Sequence, residues 1–219
     1  MTDPRELLRT TLGDLASVLD TVTVEESWEP SGCRGWSVLD LAFHLVEDAH
    51  RALVDLNSPV DGPADTDASG YWRPDRPSPH DGDDRDTARA TASLQGGIET
   101  LARRHREAVA AVVVAADRVA LGDVVRSQRA ALTVSDELSH IVVEAAIHHL
   151  DLVLRLDRPG PADPPLAEVR RVLEGLYGGP LPAGWDDADL ARWGTGRQSL
   201  TEAARADLGG GAARFPLLG

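Results

Sequence analysis

The sequence predicts an all-α protein, a four-helix bundle with a long connection between helices 2 and 3 and a short, mostly helical or irregular C-terminal extension. Three observations carry this expectation. Four long stretches repeat apolar residues at helical rather than alternating spacing. One of them, Glu137 to Leu156, is apolar on almost every side, as a helix surrounded by other helices must be. Connections rich in Pro, Gly and Asp separate the four.

Thr2 or Asp3 can cap the first helix, with Pro4 at the first helical position, where its missing N–H does no harm. Leu7, Leu8, Leu12, Leu15 and Leu19 then recur at helical spacing, so this helix runs to about Leu19 as a core element. After a loop around Pro30 and Gly32, Ser37 caps a second helix and Asp40 can return the bond as a short capping box. Its buried stripe is Val38, Leu41, Ala42, Leu45, Ala49, Leu53 and Leu56, with His44 at the edge between Asp40 and Asp48. Trp36, just before the cap, can staple the helix start or shape a pocket.

From Asn57 to about Arg85 the chain is dense in Pro, Gly and Asp. A connection of this kind is either a disordered linker or a functional lid, and both readings stand. Trp72, Arg73 and Arg76 interrupt its acidic run as candidate substrate-binding residues, able to cover a ligand or hold its carboxylates, whereas His80 reads as solvated. The third helix spans about Thr87 to Ala116, bent or weakened at Gly96 and Gly97, with His105 on its apolar stripe. Leu121 to Ala131 leads into the central helix near Ser135. Beyond Leu156, DRPGPADPP reads as a linker, followed by a helix over Ala167 to Tyr177 and a terminal helix near Thr201 to Leu208. Residues 1–156 are therefore assigned to the bundle and 157–219 to an extension packing on it.

The central helix carries Glu144, His148 and Asp151 at i, i+4 and i+7, which places them on one side with neighbours roughly 5–6 Å apart. A carboxylate in that apolar setting needs a cation, a hydrogen-bond network or a metal. His140 lies about 12 Å along the axis from His148, too far for both imidazoles to bind one ion. A further histidine ligand must come from another helix, with His44 and His105 as the candidates. Taken alone, each is more often a hydrogen-bonded histidine than a ligand.

Acidic residues number 36 against 22 basic ones, a formal charge of −14, which makes nucleic acid and anionic membranes poor partners. Every basic residue is arginine, a feature without functional weight here. Cys33 stands alone, so no internal disulfide is expected and a reducing cytoplasm fits. The N-terminus shows no signal-peptide pattern, and no apolar run approaches the roughly 18 residues of a membrane span. There is no internal repeat, Walker-type loop or dinucleotide fingerprint, and neither Ser199 nor Cys33 has the surroundings of a nucleophile.

The segment GWSVLDLAFHL from Gly35 to Leu45, followed far downstream by EAAIHHLDL from Glu144 to Leu152, resembles the DinB-like superfamily. Within it, the pair is most similar to the N-terminal, metal-binding domain of mycothiol-dependent maleylpyruvate isomerases. The resemblance covers roughly Met1 to Leu156 and implies a four-helix bundle with a divalent metal, zinc or secondarily nickel, on His44, Glu144 and His148. It leaves His105 to pack or to support a ligand from behind, and does not identify the isomerases' second domain in the tail. Two imidazoles and one carboxylate suit a catalytic metal with an open position. Asp151 then either orients His148 from behind or pairs with Arg155 at i+4.

The function implied is a metal-dependent thiol S-transferase or isomerase that uses a low-molecular-weight thiol such as mycothiol on a small electrophilic substrate. A non-catalytic metal or small-molecule binding module and a metal-dependent hydrolase are the alternatives. Either a monomer or a homodimer is compatible with such a bundle.

Overall fold

A computed structural model of the chain describes residues 3–73, 91–92, 94–128 and 130–218. Arg76, His80 and the proposed helix start at Thr87 lie outside the described residues. Helix α1 (Pro4–Leu19) begins where its signals place it, with the Asp3 carboxylate accepting from Arg5 N at 2.9 Å. In α2 (Val38–Leu56) the Ser37–Asp40 capping box is complete, with Asp40 N to Ser37 Oγ at 3.2 Å and Ser37 N to Asp40 Oδ2 at 2.9 Å. That commitment at the helix start takes Asp40 away from His44.

The third helix, α3 (Ile98–Arg118), starts later than its apolar stripe suggests. Gly96 and Gly97 both take φ near +85°, a left-handed conformation that ends one segment and caps the next rather than bending a continuous helix. Between α3 and the central helix the chain forms a small antiparallel hairpin, β1 (Val124–Arg126) on β2 (Ala131–Thr133), with Val125 opposite Leu132. The sequence does not announce it. The connection after α2 is tied to this hairpin, with Val60 N bonded to Val124 O at 2.9 Å and Asp65 N to Ala131 O at 2.8 Å. It then makes a short 3₁₀ turn at Gly70–Trp72. Ala68 N donates to Asp136 Oδ1 at 3.1 Å, fastening that turn to the first turn of the central helix.

Helix α4 (Val134–Leu152) is capped by Thr133, whose hydroxyl accepts from Asp136 N at 3.1 Å. Sixteen of its nineteen residues are buried, because it has a core on both sides. Leu138, Ile141, Val142 and Ala145 pack with α1, α2 and α3, while Val143, Ala146, Ile147 and Leu150 pack with residues after Leu156. Those later residues form α5 (Asp163–Tyr177), α6 (Asp187–Gly194) and α7 (Glu202–Leu208). Asp163, Pro164 and Pro165 belong to α5 rather than to a linker, since proline is compatible with the first turn of a helix. No helix among the described residues is long and apolar enough to cross a membrane.

Candidate metal centre

His44 projects from α2 and meets the Glu144–His148 pair of α4. His44 Nε2 stands 3.2 Å from His148 Nε2, and Glu144 Oε2 stands 3.3 Å from that same His148 nitrogen. Two nitrogens each about 2.05 Å from a tetrahedral zinc are themselves about 3.3 Å apart, so the His44–His148 separation suits two donors around one ion. The imidazoles meet edge to face at 4.8 Å between centroids, and the Trp36 ring lies edge-on to His44 at 5.0 Å. Trp36 therefore helps to fix the ring that α2 contributes.

His148 is buried, and its other nitrogen is committed. Nδ1 lies 3.0 Å from Asp151 Oδ2, which places a ring proton on Nδ1 and turns Nε2 toward His44 and Glu144. Asp151 is held in turn by Arg197, whose Nε donates to the two carboxylate oxygens at 2.8 and 2.9 Å and whose Nη2 donates to Oδ2 at 2.7 Å. Arg155 is exposed, and the Arg197 guanidinium fills the place that i+4 spacing would offer it. Backbone contact secures the same point, with Gly32 N donating to Asp151 O at 2.8 Å.

The electrostatics follow from burial opposed by pairing. For His148, burial disfavours the charged form, but Asp151, Cys33 and Glu144 outweigh it and raise its pKa well above the usual value. Burial is the largest influence on His44 and lowers it, despite the opposing charge of Asp48. Burial alone would raise Glu144, yet contact with His148 and the charges of His140 and His44 hold it below the ordinary carboxylate range. Asp151 is likewise held low, as His148 and Arg197 overcome its burial.

Two donors lie outside the ligand set that the resemblance implies. Asp48 Oδ2 lies 3.1 Å from His44 Nε2, and His44, Asp48 and His148 place one donor atom each within 4.8 Å of one another. Its i+4 spacing from His44 was a usable signal. Cys33 Sγ lies 3.3 Å from Asp151 Oδ2 and 3.7 Å from His148 Nδ1, completing a second such group with those two residues. That second group fits a metal less well, because Asp151 is already neutralised by Arg197 and Nδ1 by Asp151. The group beside the cavity whose donor atoms lie close enough to share a divalent ion is His44, Asp48 and His148, and Glu144 approaches it through His148 Nε2 alone.

A cavity of about 190 Å³ adjoins these residues and is lined by His44 and Glu144 at one end, with Leu45, Ile141 and Ala145 along its apolar wall. Trp72 lines it as well, while Arg73 is exposed and is not part of the lining. His105 also lines it from α3, buried and pushed down to about 4 by that burial, hence neutral at ordinary pH. His140 faces the cavity further along α4, away from the triad.

Residues 8–153 match the family model for the mycothiol maleylpyruvate isomerase N-terminal domain. Among solved structures, the chain is similar to crystal structures of the mycothiol-dependent maleylpyruvate isomerase and of a histidine-to-alanine variant of that enzyme. Each gives a TM-score of 0.61 at 19% sequence identity, over 90% of this chain and 89% of the other. That coverage carries the likeness in fold beyond the family match and into the residues after Leu156. No curated protein sequence matches the chain. Since the family match spans most of the chain, including the helices that carry His44, Glu144 and His148, the chain belongs to the mycothiol maleylpyruvate isomerase N-terminal domain family.

Proposed function

We propose that the chain is a metal-dependent thiol S-transferase or isomerase, using a mycothiol-type thiol on a small electrophilic substrate. The observation that carries this reading is the convergence of His44 Nε2 and Glu144 Oε2 on His148 Nε2, at 3.2 and 3.3 Å, at the end of a cavity. Held by His44, Glu144 and His148, a divalent ion, zinc or nickel, would supply the positive charge that favours the anionic form of a thiol near neutral pH.

The chain's own residues prepare that position. Asp151 keeps the His148 proton on Nδ1, and Arg197 keeps Asp151 ionised so that it continues to accept. The apolar wall formed by Leu45, Ile141 and Ala145 limits water beside the triad and strengthens each charge interaction there. The reaction class is attack of thiolate sulfur on an electrophilic carbon. The adduct is either released, as a transfer, or loses the thiol after bond rotation, as a cis/trans isomerisation. Membership of a family named for a thiol-dependent isomerase supports this class, and the cavity supports a small substrate.

Elemental mass spectrometry of purified protein tests the first half of the reading. The expected result is about one equivalent of zinc or nickel in wild type and loss of it in both His44→Ala and Glu144→Ala. Wild type that carries no metal and cannot be loaded would overturn the proposal. Turnover of an electrophile panel by loaded protein then tests the second half. Activity that requires added thiol supports the transferase or isomerase, whereas turnover without thiol identifies a hydrolase with bound water as nucleophile.

A further inference from the structure

The cavity has a second polar end that the proposed chemistry does not use. Glu137 on α4 is fully buried and lines it, yet both of its carboxylate oxygens lack a hydrogen-bond partner. His140 Nδ1 lies 3.5 Å away, one turn along the same helix, a long pairing that, against burial, raises the His140 pKa but has no hydrogen bond of ordinary geometry at either group. A buried carboxylate left in this state costs several kcal/mol, so its persistence beside an open volume points to a ligand that supplies the missing donors.

The surroundings define the ligand's charge. Asp55 lines the same end and is pushed up to about 7, by burial first and by the Glu137 charge second, while it accepts from Ser127 Oγ at 3.1 Å. Of the charged groups in the lining, Asp48, Asp55, Glu137 and Glu144 are acidic, Arg51 is already paired with Asp48, and His140 is the one other group held toward its charged form, against burial, by Glu137. Above this floor the Tyr71 and Trp72 rings pack against the His140 imidazole, with centroids 4.2 and 5.1 Å from it. Buried carboxylates under aromatic rings attract an organic cation and repel an anion.

We propose that the Asp55, Glu137 and His140 end of the cavity is a recognition subsite for a protonated amine, so that the small molecule handled here carries an amine rather than a carboxylate. The cavity volume of about 190 Å³ is enough for one ring with a short amine arm, since an apolar cavity of about 150 Å³ takes benzene. This inference stands on the cavity floor and does not require the triad to hold a metal.

Calorimetric titration of metal-free protein at pH 7 with benzylamine, benzyl alcohol and benzoate tests it, because the three probes share a ring and differ in charge. Benzylamine is expected to bind at least about tenfold more tightly than either of the others. Glu137→Gln, which keeps the shape and removes the charge, is expected to lose about that factor, as one charge-assisted hydrogen bond would. Glu107→Gln, on the exposed face of α3, should leave the ranking unchanged. Benzoate or benzyl alcohol binding as well as benzylamine, benzylamine binding untouched by Glu137→Gln, or no binding by any probe would each overturn the proposal. The wild-type ranking decides the matter even if the variant does not fold.

Discussion

Replacing Asp151 by Asn removes one charge at almost constant volume, and its consequences can be worked out from the contacts that Asp151 makes. The carboxylate is 2% exposed and accepts three Arg197 bonds at 2.7 to 2.9 Å while holding His148 Nδ1 at 3.0 Å. Breaking a fully buried ion pair by neutralising one partner costs about 3–5 kcal/mol. Arg197 retains 22% of its side-chain exposure, so water relieves part of this penalty and about 2–3 kcal/mol is expected for Asp151→Asn in metal-free protein. Arg197→Gln should cost a similar amount by stranding Asp151. The double variant strands neither charge and should cost less than the two singles together, with a coupling of about 1–2 kcal/mol. Denaturant unfolding of the four proteins measures the cycle. Competition against a chelating dye measures the other consequence, a loss of about 10–100-fold in metal affinity for Asp151→Asn, because His148 loses the acceptor that fixes its proton. Single effects that add to within about 0.5 kcal/mol, together with unchanged metal affinity, would refute the linkage of Arg197, Asp151 and His148.

Gly32→Ala is expected to lower stability by about 1–3 kcal/mol by the same denaturant assay, through overpacking. A methyl group there would collide with the Asp151 carboxylate and stand 2.7 Å from Asp151 Cα, so the loop, α4 or both must shift. Stability should also depend on Asp55. Its pKa rises from 3.8 to about 7 on folding, so between those values the folded state holds a proton that the unfolded chain has lost. Stability therefore falls as pH rises from about 4 to about 7 and levels off above, and Asp55→Asn should remove this component of the slope. Unfolding midpoints across that range, compared between wild type and variant, measure the difference. An unchanged slope in the variant would assign it to another group.

The parts of the fold legible in the sequence were those set by local chemistry. Asp3 with Pro4 and Ser37 with Asp40 act within one turn of chain, and the helix starts stand where those residues put them. The central helix was legible because its surroundings on both sides remove nearly every polar position except those with partners. The start of α3 was not, since a glycine pair inside an apolar stripe reads as weakness, and only the positive φ at both positions makes it a break. The hairpin was also hidden. Its strands are three residues long, and its stability comes from the 57–65 segment paired along it and from Leu132, which is fully buried. Arg197 and Cys33 left no local mark, because their partner Asp151 lies 46 and 118 residues away along the chain.

Those distant partners explain why the end of α4, rather than its middle, can present a histidine in a fixed attitude. A helix terminus frays unless its last turn is held. Here the last turn is gripped from two directions, by the Gly32 amide from the loop before α2 and by Arg197 from the loop after α6. The end of α6, where that loop begins, is itself tied down, since the Leu217 and Leu218 amides both donate to Gly194 O, at 2.8 and 2.9 Å. Residues after Leu156 also cover the face of α4 formed by Val143, Ala146, Ile147 and Leu150, which would otherwise meet water. The three candidate ligands all precede Leu156, as do Asp151 and Gly32, but the guanidinium that holds the Asp151 carboxylate does not. The C-terminal residues therefore act on the candidate metal centre without touching His44 or Glu144, through one guanidinium and one carboxylate.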